Sequence, residues 1–132
     1  MSTQKPHILV VDDEKFSQNI VQTVLGEQGV EITCVDSGEQ ALDYVNNHPP
    51  VDLILLDLLM VGMDGYDVLQ SIKGHPQWKD VSVIVMSGLD VPEEVEKAKT
   101  MGATSFIPKP VNPGELKASI RAYLKRIGKA ND

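Results

Sequence analysis

Short apolar runs alternate with amphipathic stretches along the whole chain. The runs end abruptly at polar residues or prolines, as buried strands do, and they lie at residues 8–11, 30–35, 53–56, 81–86 and 104–107. After each run, apolar residues recur every three to four positions, which predicts five helices. Residues 30–35 alternate polar and apolar side chains, so this strand is predicted to lie at a sheet edge.

The first amphipathic stretch predicts a helix with one apolar stripe. Phe16, Ile20 and Val24 are spaced four residues apart, with Val21 and Leu25 beside them. Glycine is common at the C-terminus of a helix, and Gly29 is predicted to close this helix.

Local signals also mark the ends of later helices. Ser37 followed by Gln40 is a capping-box signature, and the helix it opens is broken at residues 48–50 by His-Pro-Pro. Pro92, followed by two glutamates, opens the fourth helix, and Asn112 with Pro113 opens the fifth.

The elements follow one another as strand then helix, five times, with no linker or internal repeat. This order predicts an α/β fold, a parallel sheet covered by helices on both faces. We expect one domain spanning residues 1–132, with a core of about 6–127 and a frayed tail.

Composition narrows the function classes. The 132 residues are enough for one compact core, and 42% hydrophobic residues is too high for a disordered chain. The net charge of −7 and the lack of a basic block argue against direct binding of nucleic acid. Neither a signal peptide nor a membrane span is predicted, and the one cysteine, Cys34, fits a reducing, cytoplasmic compartment.

Charged and hydroxyl residues stand where the predicted strands end. Asp12 and Asp13 follow the first strand, Asp57 the third, Ser87 the fourth and Lys109 the fifth. In a parallel sheet all carboxyl ends lie on the same edge, so these side chains are expected to share one crevice. Three carboxylates there would repel one another unless a cation joined them, and hard oxygen ligands suit Mg²⁺. With Lys109 and Ser87 they make a site for a phosphoryl group.

Each of these residues has a simpler interpretation when it is considered alone. An Asp pair after a strand is more often a turn or a helix cap, a lone lysine is more often solvated, and a lone serine is more often a cap. Their joint occurrence at four strand ends favours a functional site, because several independent coincidences would otherwise be required.

The chain resembles a response-regulator receiver domain of two-component signalling over essentially its whole length. The matching residues are Asp12-Asp13, Asp57 with Met60 and Asp64-Gly65 after it, Ser87-Gly88, and Lys109-Pro110. Their spacing is most similar to the single-domain chemotaxis type. The resemblance implies a flavodoxin-like, doubly wound five-stranded sheet of order 2-1-3-4-5.

The resemblance also implies a role for each matching residue. Asp57 would accept a phosphoryl group from a histidine kinase or histidine phosphotransfer protein. Mg²⁺ would be held by Asp13, Asp57 and the backbone carbonyl of Leu59, with Asp12 acting mostly through water. Lys109 and Ser87 would contact the phosphoryl group, and Phe106 would be an aromatic switch that follows Ser87. The Lys109–Pro110 bond would be cis.

The chain departs from the family pattern at a few positions. Val61 stands where a proline is frequent in the loop after the acceptor, and Ser82 replaces a frequent proline before the fourth strand. Leu59 and Leu89 occupy the two positions that tune hydrolysis in the family. Both are apolar and cannot orient a water, so slow autodephosphorylation is expected.

Partners follow from the same resemblance. The fourth helix, fifth strand and fifth helix would face a downstream target protein, with Val95, Lys99, Phe106 and Lys117 in that region. The phosphodonor would use the first helix near Phe16 and Ile20. No activity as an enzyme is expected beyond assisting its own phosphorylation and dephosphorylation.

Four alternatives differ in how well they fit the residues. The chain is also consistent with a receiver fragment of a multidomain regulator or hybrid kinase, and less well with a pseudo-receiver that binds partners without phosphorylation. A phosphatase of the phosphoaspartate type would need an Asp two residues after its nucleophile. Here the residue two positions after Asp12 is Glu14, and the residue two positions after Asp57 is Leu59, so neither aspartate fits. A flavin carrier would need a phosphate-binding loop after the first strand. The acidic residues at that position would repel the phosphate.

Overall fold

Five strands and five helices alternate along the described part of the chain, as the apolar pattern predicts. A computed structural model describes residues 5–60, 62–88 and 91–128. The strands are β1 His7–Val11, β2 Glu31–Val35, β3 Leu53–Asp57, β4 Ser82–Ser87 and β5 Ser105–Pro108. The helices are α1 Lys15–Gly26, α2 Gly38–Asn47, α3 Gly65–Gly74, α4 Pro92–Thr100 and α5 Pro113–Arg126.

All five strands are parallel and form one sheet of order β2-β1-β3-β4-β5. The prediction that the second strand lies at an edge is confirmed, and its residues are only half-buried or exposed. β3 lies at the centre with every residue buried, which explains its unbroken apolar run. The flavodoxin-like fold and its strand order are therefore as expected.

Alternate residues of the strands pack into two cores, one on each face of the sheet. On one face Leu9, Ile54 and Val83 meet buried residues of α2, α3 and α4. On the other face Ile8, Leu53 and Ile84 meet buried residues of α1 and α5. Because side chains alternate across a strand, each central strand supplies both cores, and the sheet is held rigidly between two layers of helices.

The buried side of α1 differs from the predicted stripe. Phe16 is 68% exposed and Ile20 is half-buried, whereas Val21, Val24 and Leu25 are buried. The helix also ends earlier than expected, at Gly26, although Gly29 does adopt the positive φ of 70° expected of a terminating glycine. The helical spacing correctly identifies the apolar stripe of α1. Which part of that stripe faces the core depends on how the helix lies against the sheet.

Two of the predicted helix caps are present. Ser37 Oγ accepts a hydrogen bond from the Gln40 N–H at 3.1 Å, and Asn112 Oδ1 accepts one from the Glu115 N–H at 3.0 Å. The capping box is modified, because Gln40 Oε1 accepts from the N–H of Asp36 and not from that of Ser37. Among the described residues, no helix is both long enough and apolar enough to cross a membrane.

Candidate functional site

The polar residues at the strand ends meet in one crevice at the carboxyl edge of the sheet. Asp12 follows β1, Asp57 ends β3, Ser87 ends β4 and Lys109 follows β5. These four strands are neighbours in the sheet, so parallel pairing places their ends side by side. Asp12, Asp57 and Ser87 are buried, whereas Asp13 is exposed. The predicted convergence is thus present in the fold.

Lys109 joins the two buried carboxylates. Its Nζ lies 3.1 Å from Asp57 Oδ2 and 3.1 Å from Asp12 Oδ2. Burial lowers the pKa of Lys109, but the charges of Asp57 and Asp12 outweigh burial and raise that pKa above its ordinary value. Lys109 is therefore a cation at neutral pH and compensates part of the negative charge of the crevice.

The carboxyl group of Asp57 lies in a low-dielectric position at the floor of the crevice. Burial raises its pKa to about 6, because water no longer stabilises the carboxylate. The Leu59 N–H, which donates to Oδ1 at 3.0 Å, and the ammonium of Lys109 lower the pKa, while Asp12 raises it. Burial outweighs these contacts. Asp57 is mainly ionised at neutral pH, but a modest fall in pH protonates it.

The three aspartates fit a divalent cation. Asp12, Asp13 and Asp57 can each direct one carboxylate oxygen so that the three oxygens lie within 4.8 Å of one another. Within the described part of the chain, Asp12 Oδ2 accepts no hydrogen bond, although Lys109 Nζ is at ion-pairing distance. A buried carboxylate oxygen with an open lone pair is costly, and a cation would satisfy it. An all-oxygen donor set suits Mg²⁺ better than a transition metal.

The crevice reaches solvent through a cavity of about 420 Å³. Its walls are Asp13, Glu14, Asp57, Leu59, Gly88 and Lys109. The Leu59 side chain is 53% exposed at the mouth of the cavity, and its backbone N–H is already bound to Asp57. The cavity therefore offers space for a small anionic group directly above the carboxylate of Asp57.

Ser87, Pro110 and Phe106 lie on the β4 and β5 side of the crevice. The Ser87 carbonyl accepts a hydrogen bond from the Lys109 N–H at 2.8 Å, which fixes the chain after β5. The Lys109–Pro110 bond is cis, as expected. Phe106 is half-buried against the core under α2, α3 and α4, and also lines a shallow groove beside α4. Val61, at the position of a frequent proline, and Leu89, at a position expected to affect hydrolysis, lie outside the described residues.

Sequence reasoning missed two residues that build the site. Glu14 Oε1 lies 3.3 Å from Lys109 Nζ and accepts a hydrogen bond of 2.6 Å from Ser17 Oγ. Gln18 Nε2 donates to the Asp12 carbonyl and, at 2.8 Å, to Asp36 Oδ1. Glu14 directly follows the two aspartates and so carries a signal in the sequence. Gln18 does not, because only the fold brings it below Asp12.

Comparison with known proteins identifies the family. Residues 8–121 match the model of the response regulator receiver domain. The chain belongs to this family. The two-component response regulator ORR11 of Oryza sativa subsp. indica is 33% identical over 111 residues, covering 84% of this chain and 76% of the relative. The receiver domain described here is also similar to the probable transcriptional regulator ycf27 of Porphyridium aerugineum, 37% identical over 97% of this chain but only 52% of that protein.

A solved structure supports the same assignment. The chemotaxis response regulator CheY4 of Vibrio cholerae superimposes with a TM-score of 0.84 at 26% identity. The match covers 92% of this receiver domain and 100% of that chain. The whole sheet with its five helices is therefore shared with a chemotaxis regulator, whereas the ycf27 relative extends well beyond the matched part.

Proposed function

We propose that Asp57 accepts a phosphoryl group and that this modification switches the binding of a partner protein. The observation that carries the proposal is the contact of Lys109 Nζ with buried Asp57, at 3.1 Å, below a cavity that can hold a phosphoryl group. An oxygen of Asp57 attacks the phosphorus of a phosphohistidine. The P–N bond breaks and its electron pair returns to the imidazole nitrogen, leaving an acyl phosphate on Asp57.

The remaining side chains have supporting roles in this proposal. The Lys109 ammonium, which pairs with carboxylates of the crevice including Asp57, would pair with a phosphoryl oxygen, and the Ser87 hydroxyl would donate to another of these oxygens. Asp12, Asp13, Asp57 and the Leu59 carbonyl would hold Mg²⁺. When bound, Mg²⁺ would lower the repulsion between the carboxylate and the anionic phosphoryl group.

The proposed donor is a histidine kinase or a histidine phosphotransfer protein. Phe16, which is 68% exposed in the first turn of α1, and half-buried Ile20 give this helix an apolar surface for the donor. The proposed output surface is the groove between α4 and β5, lined by Val95, Lys99 and Phe106, together with α5.

We propose that the protein is a binding module and not an enzyme. We further propose that it is located in the cytoplasm and that its direct partner is a protein and not nucleic acid. The proposed chemistry is the same whether the receiver domain stands alone or forms part of a longer regulator.

Intact mass after incubation with acetyl phosphate tests the proposal. Wild type should gain one phosphoryl group only when Mg²⁺ is present, and Asp57→Asn should gain none, because an amide is a poor nucleophile. Circular dichroism confirms that both proteins are folded. A folded, Mg²⁺-binding wild type without an adduct would contradict the proposal and favour a pseudo-receiver.

The apolar mouth of the cavity predicts a long-lived phosphorylated state. Leu59→Asn should accelerate dephosphorylation about tenfold, because its amide can orient a water near the phosphorus. Leu59→Met is the matched control and should leave the rate nearly unchanged. The rate is measured as loss of the mass adduct after the donor is removed. Equal rates in all three proteins would show that the side chain of Leu59 does not limit hydrolysis.

A further inference from the structure

Glu14 adds a third carboxylate to the surroundings of Lys109. Its Oε1 lies 3.3 Å from Lys109 Nζ and is held in place by the Ser17 hydroxyl, which donates to it at 2.6 Å. Ser17 is buried on α1, so it is a fixed support for the otherwise exposed Glu14 side chain. Glu14 also lines the cavity above Asp57. The proposed transfer of a phosphoryl group to Asp57 does not use these contacts.

Three carboxylates surround Lys109 and accept hydrogen bonds from its ammonium group. An ammonium group has three N–H donors, and its hydrogen-bond acceptors here are Asp57 Oδ2, Asp12 Oδ1 and Glu14 Oε1, at 3.1, 3.3 and 3.3 Å. A phosphoryl group on Asp57 needs at least one of these donors. The hydrogen bonds to Glu14 and Asp12 are equally long, but the side chain of Glu14 is 57% exposed, whereas that of Asp12 is buried. The Glu14 contact is therefore the easiest to break.

We propose that Glu14, supported by Ser17, is a positioning residue that restrains phosphorylation by holding Lys109 toward the mouth of the crevice. This inference rests on the proposed phosphorylation of Asp57. Lys109 must leave Glu14 before all of its charge can act on the phosphoryl group. The charge of Glu14 at the cavity wall also repels an incoming anionic donor, so both effects slow the reaction.

The reaction with acetyl phosphate shows where the restraint acts. A bond forms between an Asp57 oxygen and phosphorus, the bond from phosphorus to the acetyl oxygen breaks, and acetate leaves with the electron pair. Lys109 gains no proton and loses none. One of its N–H donors changes acceptor, from the carboxylate of Glu14 to a phosphoryl oxygen.

The decisive variant is Glu14→Gln. Its amide oxygen can still accept the hydrogen bond from Ser17, but the charge that holds Lys109 is gone. At low ionic strength the initial rate of adduct formation with acetyl phosphate and Mg²⁺ should rise about three- to tenfold over wild type. The gain should shrink as salt is added, and Mg²⁺ affinity measured by calorimetry should change less than about twofold.

Three further variants separate the contact from net charge. Glu39→Gln removes the same charge from the exposed first turn of α2, at the same edge of the sheet, and should react at the wild-type rate. Glu14→Asp keeps the charge but is too short to reach both Ser17 and Lys109, so it should be faster than wild type. Ser17→Ala should give a smaller gain, and no further gain when combined with Glu14→Gln.

Several results would overturn this role for Glu14. An unchanged rate in Glu14→Gln, or an equal gain in Glu39→Gln, removes the specific contact as a cause. A wild-type rate in Glu14→Asp assigns the effect to charge alone, and a large loss of Mg²⁺ affinity in Glu14→Gln makes Glu14 a metal ligand instead. If wild type forms no adduct at all, the proposed phosphorylation fails and this inference fails with it.

Discussion

Gly65→Ala should destabilise the protein by about 3 kcal/mol, the upper range for overpacking a core. A Cβ atom on Gly65 would lie 2.4 Å from the Leu58 Cα, 2.6 Å from the Asp57 carbonyl oxygen and 2.8 Å from the Leu58 carbonyl oxygen. All three are backbone atoms, so no side-chain rotation can relieve the clash. Either α3 moves away from the sheet or the chain that carries Asp57 is displaced.

Gly74→Ala, at the other end of α3, is the matched control. A Cβ there meets no atom of the described chain within 4 Å, so this variant should be neutral or more stable by up to about 1 kcal/mol. Urea unfolding followed by circular dichroism measures both free energies. A loss below about 1 kcal/mol in Gly65→Ala would show that the start of α3 can shift at little cost.

Asp57→Asn should stabilise the metal-free protein by about 2 kcal/mol at pH 7.5. Burial raises the pKa of Asp57 from 3.8 to about 6, so the folded protein binds this proton more tightly than the unfolded chain does. The stability from this group is complete below about pH 4 and is lost as pH rises through 6. Two pKa units correspond to roughly 3 kcal/mol, and screening by water that enters the open crevice reduces the gain to about 2 kcal/mol.

The difference in stability between the two proteins should therefore depend on pH. It should approach zero near pH 4 and be largest above pH 7, when unfolding is measured in the presence of EDTA. Asp43→Asn, which removes an exposed carboxylate on α2, should stay within about 0.5 kcal/mol of wild type throughout. Added Mg²⁺ should stabilise wild type in preference to Asp57→Asn and narrow the gap. If Asp57→Asn is no more stable than wild type at pH 7.5, burial is not the dominant influence on Asp57.

The site was predictable because parallel strands order their ends in space. Once residues 8–11 and 53–56 are assigned as buried parallel strands, Asp12 and Asp57 must lie on the same edge of the sheet. The same reasoning places Ser87 and Lys109 there. The strand order itself was not contained in the local pattern and came from the resemblance to receiver domains, because apolar runs do not indicate which strands are neighbours.

The exposure of Phe16 and the contact of Glu14 with Lys109 were not predicted, because both depend on the tertiary fold. Phe16 matches the helical spacing of α1 but is 68% exposed, because it lies at the carboxyl edge of the sheet, beyond the part of the core that α1 covers. In the sequence, Glu14 stands out only as the residue two positions after Asp12. Its hydrogen bond with Ser17 is local, at the start of α1, but Lys109 is 95 residues away in the sequence, and no spacing along the chain indicates that contact.

By itself, the sequence determined which side chains form the elements and which chemical groups stand at the strand ends. Only the tertiary structure decided that Lys109 is shared among Asp57, Asp12 and Glu14, and that burial raises the pKa of Asp57 to about 6. The physical reason is that strand and helix formation depends mainly on neighbouring residues. The energy of a charge depends instead on its solvent exposure and on the charges within a few ångströms, which distant parts of the chain supply.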